Sequence, residues 1–382
     1  MNLFIPMFVF YVMKQAFFIF LLVVLFGAIA YVIVRGIQSF SAYPIIKHVY
    51  WTALTVMSAM MLASFFMPSA FSPPIGKIVT FIGFSFLILL LYLFFVFLLI
   101  DIARLVNLLT PFIADMPLFR FRTATAGIVL TVLVMIIGHI QFLNPKIVKL
   151  EVQTENTFKG KNMKIVAISD LHLGISIDKK MLQKYVAMIQ SQQPDLVLLG
   201  GDIIDRSVQA VIDADMHEEL LQIDAPLGVY AVLGNHEYYG EGLKKVHSFY
   251  DKTNITLLRD TVVAINEDIF LIGRDDAANH RRKSLSSLTQ NTNNASVRLL
   301  LDHQPYNLAE ARENHIDFQF SGHTHKGQIL PGNLLVNKLF EIGYGYRKIG
   351  QTHYYVSSGL GIWGPQYRIG TQSEMVVIDF RY

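Results

Sequence analysis

The sequence predicts an α/β domain preceded by an all-α membrane region of about four transmembrane helices. The 382-residue chain is 53% hydrophobic and 16% charged, which is too apolar for an ordinary soluble protein. Residues 1–142 hold seven Lys and Arg and two Asp, whereas the rest of the chain is mildly acidic. Strand-like and helical patterns alternate in that second part, as in α/β architectures. We therefore expect a membrane region at residues 1–145 and a domain at residues 146–382.

Four stretches are long and apolar enough to span a bilayer, which takes about 20 residues. They lie near residues 16–34, 49–67, 78–100 and 125–142. None of these stretches contains Asp, Glu, Lys or Arg, and this disfavours a transport path through them. His139 is the one imidazole within them, and its place near a helix end predicts an interfacial residue rather than a proton relay.

Loop charges predict the orientation of these spans, because cytoplasmic loops are richer in Lys and Arg. The first and third loops hold Arg35, Lys47, Arg104, Arg120 and Arg122. The opposite side holds Lys14, Lys77, Lys146 and Lys149. This small excess predicts a multi-pass protein of the cell membrane whose domain lies on the extracytoplasmic face.

In the domain, polar residues stand where apolar runs end. Five such places are Asp170-Leu171-His172, Gly201-Asp202-Ile203-Ile204-Asp205, Gly234-Asn235-His236-Glu237, His303 and Gly322-His323-Thr324-His325. Ligand sites in open α/β sheets form beyond the carboxyl ends of strands. The five places are therefore expected to contribute to one site.

The residue types at these places indicate a metal site. Carboxylate and imidazole without thiolate suit Mn, Fe or Zn, and the chain has no cysteine. In an extended chain residues i and i+2 point the same way, so Asp170 and His172 can aim at one ion, as can His323 and His325. Asp202 could bridge two ions with its two oxygens. Asn235 could add a neutral carbonyl oxygen.

In this order, the five blocks resemble the signature of the calcineurin-like metallophosphoesterases over roughly residues 163–325. With membrane spans ahead of the domain, the chain is similar to the bacterial membrane-anchored branch of that superfamily. The resemblance implies a four-layer α-β-β-α sandwich. In that sandwich the runs 327–330, 353–357 and 375–380 would complete the second sheet.

The resemblance also implies two metal sites and the residues that hold them. One site would use Asp170, His172, Asp202 and His325. The other would use Asp202, Asn235, His303 and His323. His236 would act beside the metals, stabilising or protonating the leaving oxygen. Asp205 would hold His236 in its tautomer and orientation.

The predicted function is that of a membrane-tethered dinuclear-metal phosphoesterase, which hydrolyses a phosphoester or pyrophosphate bond with a metal-bound hydroxide. The tether suggests a phospholipid or a lipid-linked diphosphate as substrate, and hence a role in lipid metabolism, with manganese among the candidate metals. The alternative is a membrane sensor or scaffold whose domain binds metal without turnover. A nucleic-acid partner is not expected, because the domain lacks a basic patch.

Aromatic residues in glycine-rich loops leave two interpretations open. They are Tyr344, Tyr346, Trp363 and Tyr367. They could form a packed rim at a sheet edge, or a wall for an amphiphilic substrate with Arg347 or Arg368 meeting a phosphate. Tyr238 and Tyr239 are expected nearer the metals. No residue is assigned to substrate binding from the sequence.

Overall fold

The computed structural model describes residues 4–67, 70–154, 161–290, 292–293 and 296–382. The chain divides into two compact units, one ending at Ile136 and one spanning Ile137–Tyr382. The boundary drawn from the sequence lies at 145–146. The second unit therefore takes in the last two turns of the helix that precedes that boundary.

The first unit is built from long apolar helices. They are α1 (Phe4–Ser39), α2 (Pro44–Phe66), α3 (Pro73–Leu109) and α4 (Met116–Leu143), the last continuing into the second unit. All four are long and apolar enough to cross a membrane, in agreement with the four apolar stretches predicted from the sequence. α2 and α3 approach closely at Gly83, where a Cβ would lie 2.8 Å from the Cα of Met61. The helices extend beyond the predicted spans: α3, for example, continues past residue 100 through Asp101 and Arg104.

The described residues of the second unit form two six-stranded sheets. In chain order the strands are β1 (Lys146–Gln153), β2 (Asn162–Ile168), β3 (Leu196–Leu199), β4 (Val229–Ala231), β5 (Ile255–Leu257), β6 (Thr261–Ala264), β7 (Ile269–Gly273), β8 (Val297–Leu301), β9 (Phe318–Ser321), β10 (Gly345–Ile349), β11 (Thr352–Val356) and β12 (Glu374–Arg381). The first sheet has the order β1-β12-β2-β3-β4-β5, and the second β10-β11-β9-β8-β7-β6. Strands β2 to β5 run parallel, as do β7, β8, β9 and β11.

Helices of the described residues flank the two sheets. They are α5 (Lys179–Gln190), α6 (Val208–Asp213), α7 (Met216–Leu220), α8 (Asn235–Tyr239), α9 (Leu243–Tyr250), α10 (Leu285–Thr289), α11 (Ala309–Glu313) and α12 (Gly332–Leu339), with a 3₁₀ turn at His325–Gly327. Side chains alternate across each strand, so one strand serves two layers. Val376 and Ile378 of β12 join the core between the sheets, while Met375 and Val377 join the core under α5 and α9. These layers confirm the predicted α-β-β-α sandwich.

Three details of the sandwich differ from the prediction. β12 lies in the first sheet, antiparallel to β2, and not in the second sheet as expected for residues 375–380. Residues 327–330 form no strand and contribute only an isolated bridge between Ile329 and Ile369. β1 was not predicted, because it reads as a polar stretch. It begins three residues after Leu143, the end of α4, and pairs with β12 over its whole length.

Candidate metal centre

The predicted ligands stand at the carboxyl ends of parallel strands. Asp170 and His172 follow β2, Asp202 follows β3, and Asn235 and His236 begin α8 after β4. From the second sheet, His303 follows β8, and His323 and His325 follow β9. The strand ends bring these side chains together, as the sequence predicts.

The backbone reaches this arrangement through left-handed conformations. Five of the predicted ligands have positive φ: Asp170 (55°), His172 (49°), Asp202 (52°), His323 (70°) and His325 (48°). Such conformations are uncommon for residues other than glycine and cluster at functional sites. The paired side chains therefore converge through tight turns. The prediction that each pair lies on extended chain, with residues i and i+2 pointing the same way, is wrong.

One group of ligand atoms comes from Asp170, His172, Asp202 and His325. The two Nε2 atoms of His172 and His325 lie 3.1 Å apart, and Nε2 of His325 lies 3.4 Å from Oδ1 of Asp170. Nε2 of His172 lies 3.8 Å from Oδ2 of Asp202. Metal–ligand bonds of about 2.1 Å place neighbouring ligand atoms about 3.0–3.5 Å apart. The ligand atoms of Asp170, His172 and His325 lie within 4.8 Å of one another, close enough to share an ion, whereas His172 and Asp202 are slightly farther apart than this range.

A second group comes from Asp202, Asn235, His303 and His323. Oδ2 of Asp202 lies 3.1 Å from Nε2 of His303. Oδ1 of Asn235 lies 2.8 Å from Nδ1 of His323. Ligand atoms of Asp202, His303 and His323 all lie within 4.8 Å of one another. These are the four residues that the resemblance implies for the second ion.

Asp202 belongs to both groups through one oxygen. Its Oδ2 faces His172 on one side and His303 on the other, whereas its Oδ1 accepts a hydrogen bond of 2.8 Å from the backbone N–H of His236. Burial raises the pKa of Asp202, but His303, His172 and His236 outweigh burial and hold that pKa well below its usual value. A shared ligand at this position would use Oδ2 rather than both oxygens.

The surroundings of His303 indicate whether a cation fits between this residue and Asp202. Its Nδ1 lies 2.8 Å from the carbonyl oxygen of Gly200 and so carries a proton, while the buried Nε2 has no hydrogen-bond partner among the described residues. Burial lowers the pKa of His303, but Asp202 outweighs burial and raises it well above its usual value. The geometry thus calls for positive charge between Nε2 and Asp202. A divalent cation bound here would supply it.

His236 and Asp205 lie beside the two groups as predicted. Nδ1 of His236 is 2.9 Å from Oδ1 of Asp205, and the same oxygen is 3.8 Å from Nδ1 of His172. Burial raises the pKa of Asp205, but its contacts with the two histidines lower it overall to well below the usual range. The ionised carboxylate accepts a hydrogen bond from Nδ1–H of His236. The Nε2 atom of that ring is therefore the one that can interact with a substrate.

Glu237 is a supporting residue to which the sequence analysis gave no role. It is buried, and its carboxylate accepts hydrogen bonds from the backbone N–H groups of Asp202, Ile203, Ile204 and Gly234 at 2.7–3.2 Å. Burial and Asp202 raise its pKa to about 7, against the lowering effect of these N–H groups. Its position at N3 of α8, where glutamate often accepts from the helix N-cap, is the signal that could have identified it.

Replacing Glu237 by glutamine is expected to destabilise the domain. The amide nitrogen would face backbone donors, and each buried N–H left without an acceptor costs about 1–3 kcal/mol, so we expect a loss of about 2–4 kcal/mol. Denaturant unfolding of the full chain in detergent measures the change. Glu241→Gln, at an exposed glutamate four residues on, is the matched control. Equal stability of the two variants would contradict the bracing role.

Arg368 holds neighbouring loop segments together and is not placed to bind a phosphate. It is fully buried, and its guanidinium donates to the carbonyl oxygens of His325, Gly359 and Gly361 and to Oγ of Ser373. Burial lowers its pKa to about 10. Its donors are thus used to fix the loop against His325. Arg347 lies on β10 and donates to the carbonyl oxygen of Glu341.

Only some of the predicted aromatic residues surround the site. Trp363 is 46% exposed, and its ring centre lies 5.9 Å from that of His236, with Tyr239 at 6.3 Å from the same ring. On the other side Tyr306 and Phe340, which were not predicted, lie 6.1 Å from His323. The other predicted aromatics make structural contacts: Tyr344 with Glu374, Tyr346 with His353, Tyr367 with His139, and Tyr238 with Asp275.

Comparison with known proteins gives a family match for this part of the chain. Residues 163–327 match the family model of the calcineurin-like phosphoesterases. An uncharacterised metallophosphoesterase of Helicobacter pylori is 33% identical over 224 residues, which are 57% of this chain and 60% of that protein. The chain thus covers less than two thirds of the length of this relative.

Two further relatives differ in how much of them is matched. An uncharacterised metallophosphoesterase of Aquifex aeolicus is 29% identical over 251 residues, which are 64% of this chain and 95% of that protein. A Danio rerio protein described as a transmembrane protein with a metallophosphoesterase domain is 29% identical over 276 residues, which are 68% of this chain and 62% of that protein.

Proposed function

Because residues 163–327 match the family model of the calcineurin-like phosphoesterases, we propose that this chain is a membrane-tethered hydrolase that cleaves a phosphoester or pyrophosphate bond at a dinuclear metal centre. The observation that carries the proposal is the single oxygen of Asp202 that faces both ligand groups. A pair of ions at such a shared ligand lies close enough to act on one phosphoryl group.

The residues proposed to hold the ions are those of the two groups. Asp170, His172, Asp202 and His325 would hold one ion, and Asp202, Asn235, His303 and His323 the other. When bound, two divalent cations such as Mn, Fe or Zn supply Lewis acidity and an activated water as nucleophile. Since an oxygen nucleophile comes with the metals, a nucleophilic Ser or Cys is not required of the chain.

The role proposed for His236 is to hold and deliver a proton. The Asp205 carboxylate accepts a hydrogen bond from Nδ1 at 2.9 Å and so fixes the orientation of the ring. Nε2 can then stabilise negative charge on the leaving oxygen and protonate it. His236 is partly exposed next to Trp363 and Tyr239, so a substrate entering between these rings meets this nitrogen.

We propose a lipid as the substrate, either a phospholipid or a lipid-linked diphosphate. Four helices that can cross a membrane keep the site beside lipid phosphates. The exposed aromatic rings of Trp363 and Tyr306 supply amphiphilic contact surface at the site. Purified full-length protein incubated with a total lipid extract, with released phosphate and headgroups as readout, tests the substrate class.

The test of the activity is metal-dependent turnover of a simple diester. Full-length protein stripped with a chelator is expected to lose hydrolysis of bis-p-nitrophenyl phosphate and to regain it with added Mn²⁺. Elemental analysis of the same sample should find two metal ions per chain. Two bound ions without hydrolysis of any phosphoester would favour the alternative of a sensor or scaffold.

The proposed location of the domain is the extracytoplasmic face of the cell membrane. The support is the small excess of Lys and Arg in the first and third loops. Protease added to intact cells is expected to remove residues 146–382 while the helices stay protected. Cleavage only after lysis would place the domain in the cytoplasm.

A further inference from the structure

Helix α12 presents an apolar face that the rest of its unit does not cover. In this helix, which the structure describes completely, no side chain is buried. Leu334, Leu335 and Leu339 are 58%, 59% and 66% exposed, and Leu330 just before the helix is 41% exposed. Positions 334, 335 and 339 share one side of an α-helix. We call these four residues the leucine face. A contiguous apolar patch of this kind marks an interaction surface.

The leucine face lies next to the end of α4. The backbone N–H of Leu330 donates to the carbonyl oxygen of Ile369 at 2.9 Å. The adjacent N–H of Arg368 donates to the carbonyl oxygen of Gly138 in α4, also at 2.9 Å. A Cβ on Gly138 would lie 2.5 Å from Cγ1 of Ile369, so the helix packs directly on this segment. Residues 137–143 and α12 belong to the same compact unit.

These contacts limit how far the leucine face can be from a bilayer. Hydrogen-bonded neighbouring chains lie about 4.8 Å apart, so the backbone of Leu330 is roughly 10 Å from that of Gly138. Gly138 is about 8 Å along the helix from its last residue, Leu143. Since α4 is long and apolar enough to cross a membrane, its end lies in the interfacial layer, which is about 5–8 Å deep on each side.

We propose that α12 is an interfacial helix whose leucine face lies in the bilayer that α4 crosses. The leucine side chains enter the boundary between headgroups and acyl chains. Lys338 is exposed in the same helix and extends its ammonium group to lipid phosphates. At 100° per residue Lys338 falls between Leu334 and Leu335, so its aliphatic stem lies within the leucine face while its ammonium group extends beyond it.

This placement deepens the proposed function, and its consequence for the substrate rests on that function. α12 begins five residues after the 3₁₀ turn that carries His325. Phe340, directly after α12, stacks on Tyr306 at 5.2 Å, and both rings lie 6.1 Å from His323. The proposed interfacial helix is thus followed directly by Phe340, one of the aromatic residues that border the metal centre. A lipid phosphate can reach the site while its acyl chains stay in the membrane.

The absence of cysteine from the chain makes a direct test possible. A nitroxide label on Leu335→Cys in the full chain, one chain per nanodisc of phosphatidylcholine and phosphatidylglycerol, reports its surroundings by power-saturation EPR. The matched control is Asn337→Cys, exposed on another side of the same helix, with Leu221→Cys as an exposed apolar position elsewhere. We expect a several-fold higher ratio of collisions with oxygen to collisions with a water-soluble nickel complex at position 335 than at either control.

Two outcomes would overturn the proposal. A label at 335 that collides with the nickel complex as often as the label at 337 would place the helix in water. A label shielded from both reagents would mean that protein covers the leucine face. The measurement needs no turnover, so it stands if the chain proves not to be a hydrolase. In an active enzyme, L334D/L335D should retain hydrolysis of bis-p-nitrophenyl phosphate and lose several-fold activity on bilayer lipid.

Discussion

Asp202→Asn is expected to abolish turnover and to reduce metal content at both positions. The amide lacks the negative charge that Oδ2 presents to His172 of the first ligand group and to His303 of the second. Loss of charge stabilisation at a transition state costs about 10²–10³-fold in rate, and losing the shared ligand should reach at least the upper end of that range. Elemental analysis and kcat/KM for bis-p-nitrophenyl phosphate measure the two effects.

The control for this variant is Asp213→Asn, an exposed aspartate in α6. It should keep wild-type metal content and activity, because exposed carboxylates contribute little. If Asp202→Asn bound two ions and turned over at the normal rate, the shared-ligand proposal would have to be abandoned.

His236→Ala is expected to lower kcat by about 10²–10⁴-fold, the usual contribution of a positioned acid or base, while the metal content stays at two ions. The imidazole acts on the leaving oxygen and is not counted among the proposed ligands. Removing it should therefore separate catalysis from metal binding. Asp205→Asn should cost about 10–100-fold, because Asp205 acts by orienting this ring and does not itself touch the substrate.

His280→Gln is the matched control, at an exposed histidine outside the ligand groups. Its activity should equal that of the wild type. Loss of one ion together with activity in His236→Ala would show instead that His236 is a ligand. That result is a real alternative to exclude, since His236 lies with His172 and Asp202 in a set of atoms within 4.8 Å of one another.

The residues of the candidate site could be predicted from the sequence because the blocks that contain them each follow an apolar run. A strand ending in Asp or His can be recognised without knowing its neighbours, and parallel strands bring their ends to one edge. The left-handed backbone at Asp170 and His172 could not be foreseen, because these conformations depend on partners from elsewhere in the chain. The N–H of Asp170, for example, donates to the carbonyl oxygen of Gly201.

The parts of the fold that escaped prediction depend on long-range pairing. β1 has alternating exposed and half-buried residues and becomes a strand only because β12, more than 200 residues later, pairs with it. β12 is apolar on both faces, so its sequence pattern does not show which of the two sheets it joins. Arg368 carries a charge and stands near aromatic residues, so it resembles a phosphate ligand. Only the fold reveals that three carbonyl oxygens and a hydroxyl surround it.

The short passage from α4 into β1 has a consequence for selectivity. Asn144 and Pro145 alone separate the helix from the strand, and the N–H of Lys146 donates at once to the carbonyl oxygen of Ser373. A long flexible linker would let an active centre search a large volume around its anchor. For the proposed membrane-tethered hydrolase, a two-residue junction would restrict that search, so substrates would be sorted by how far their scissile phosphate projects from the surface.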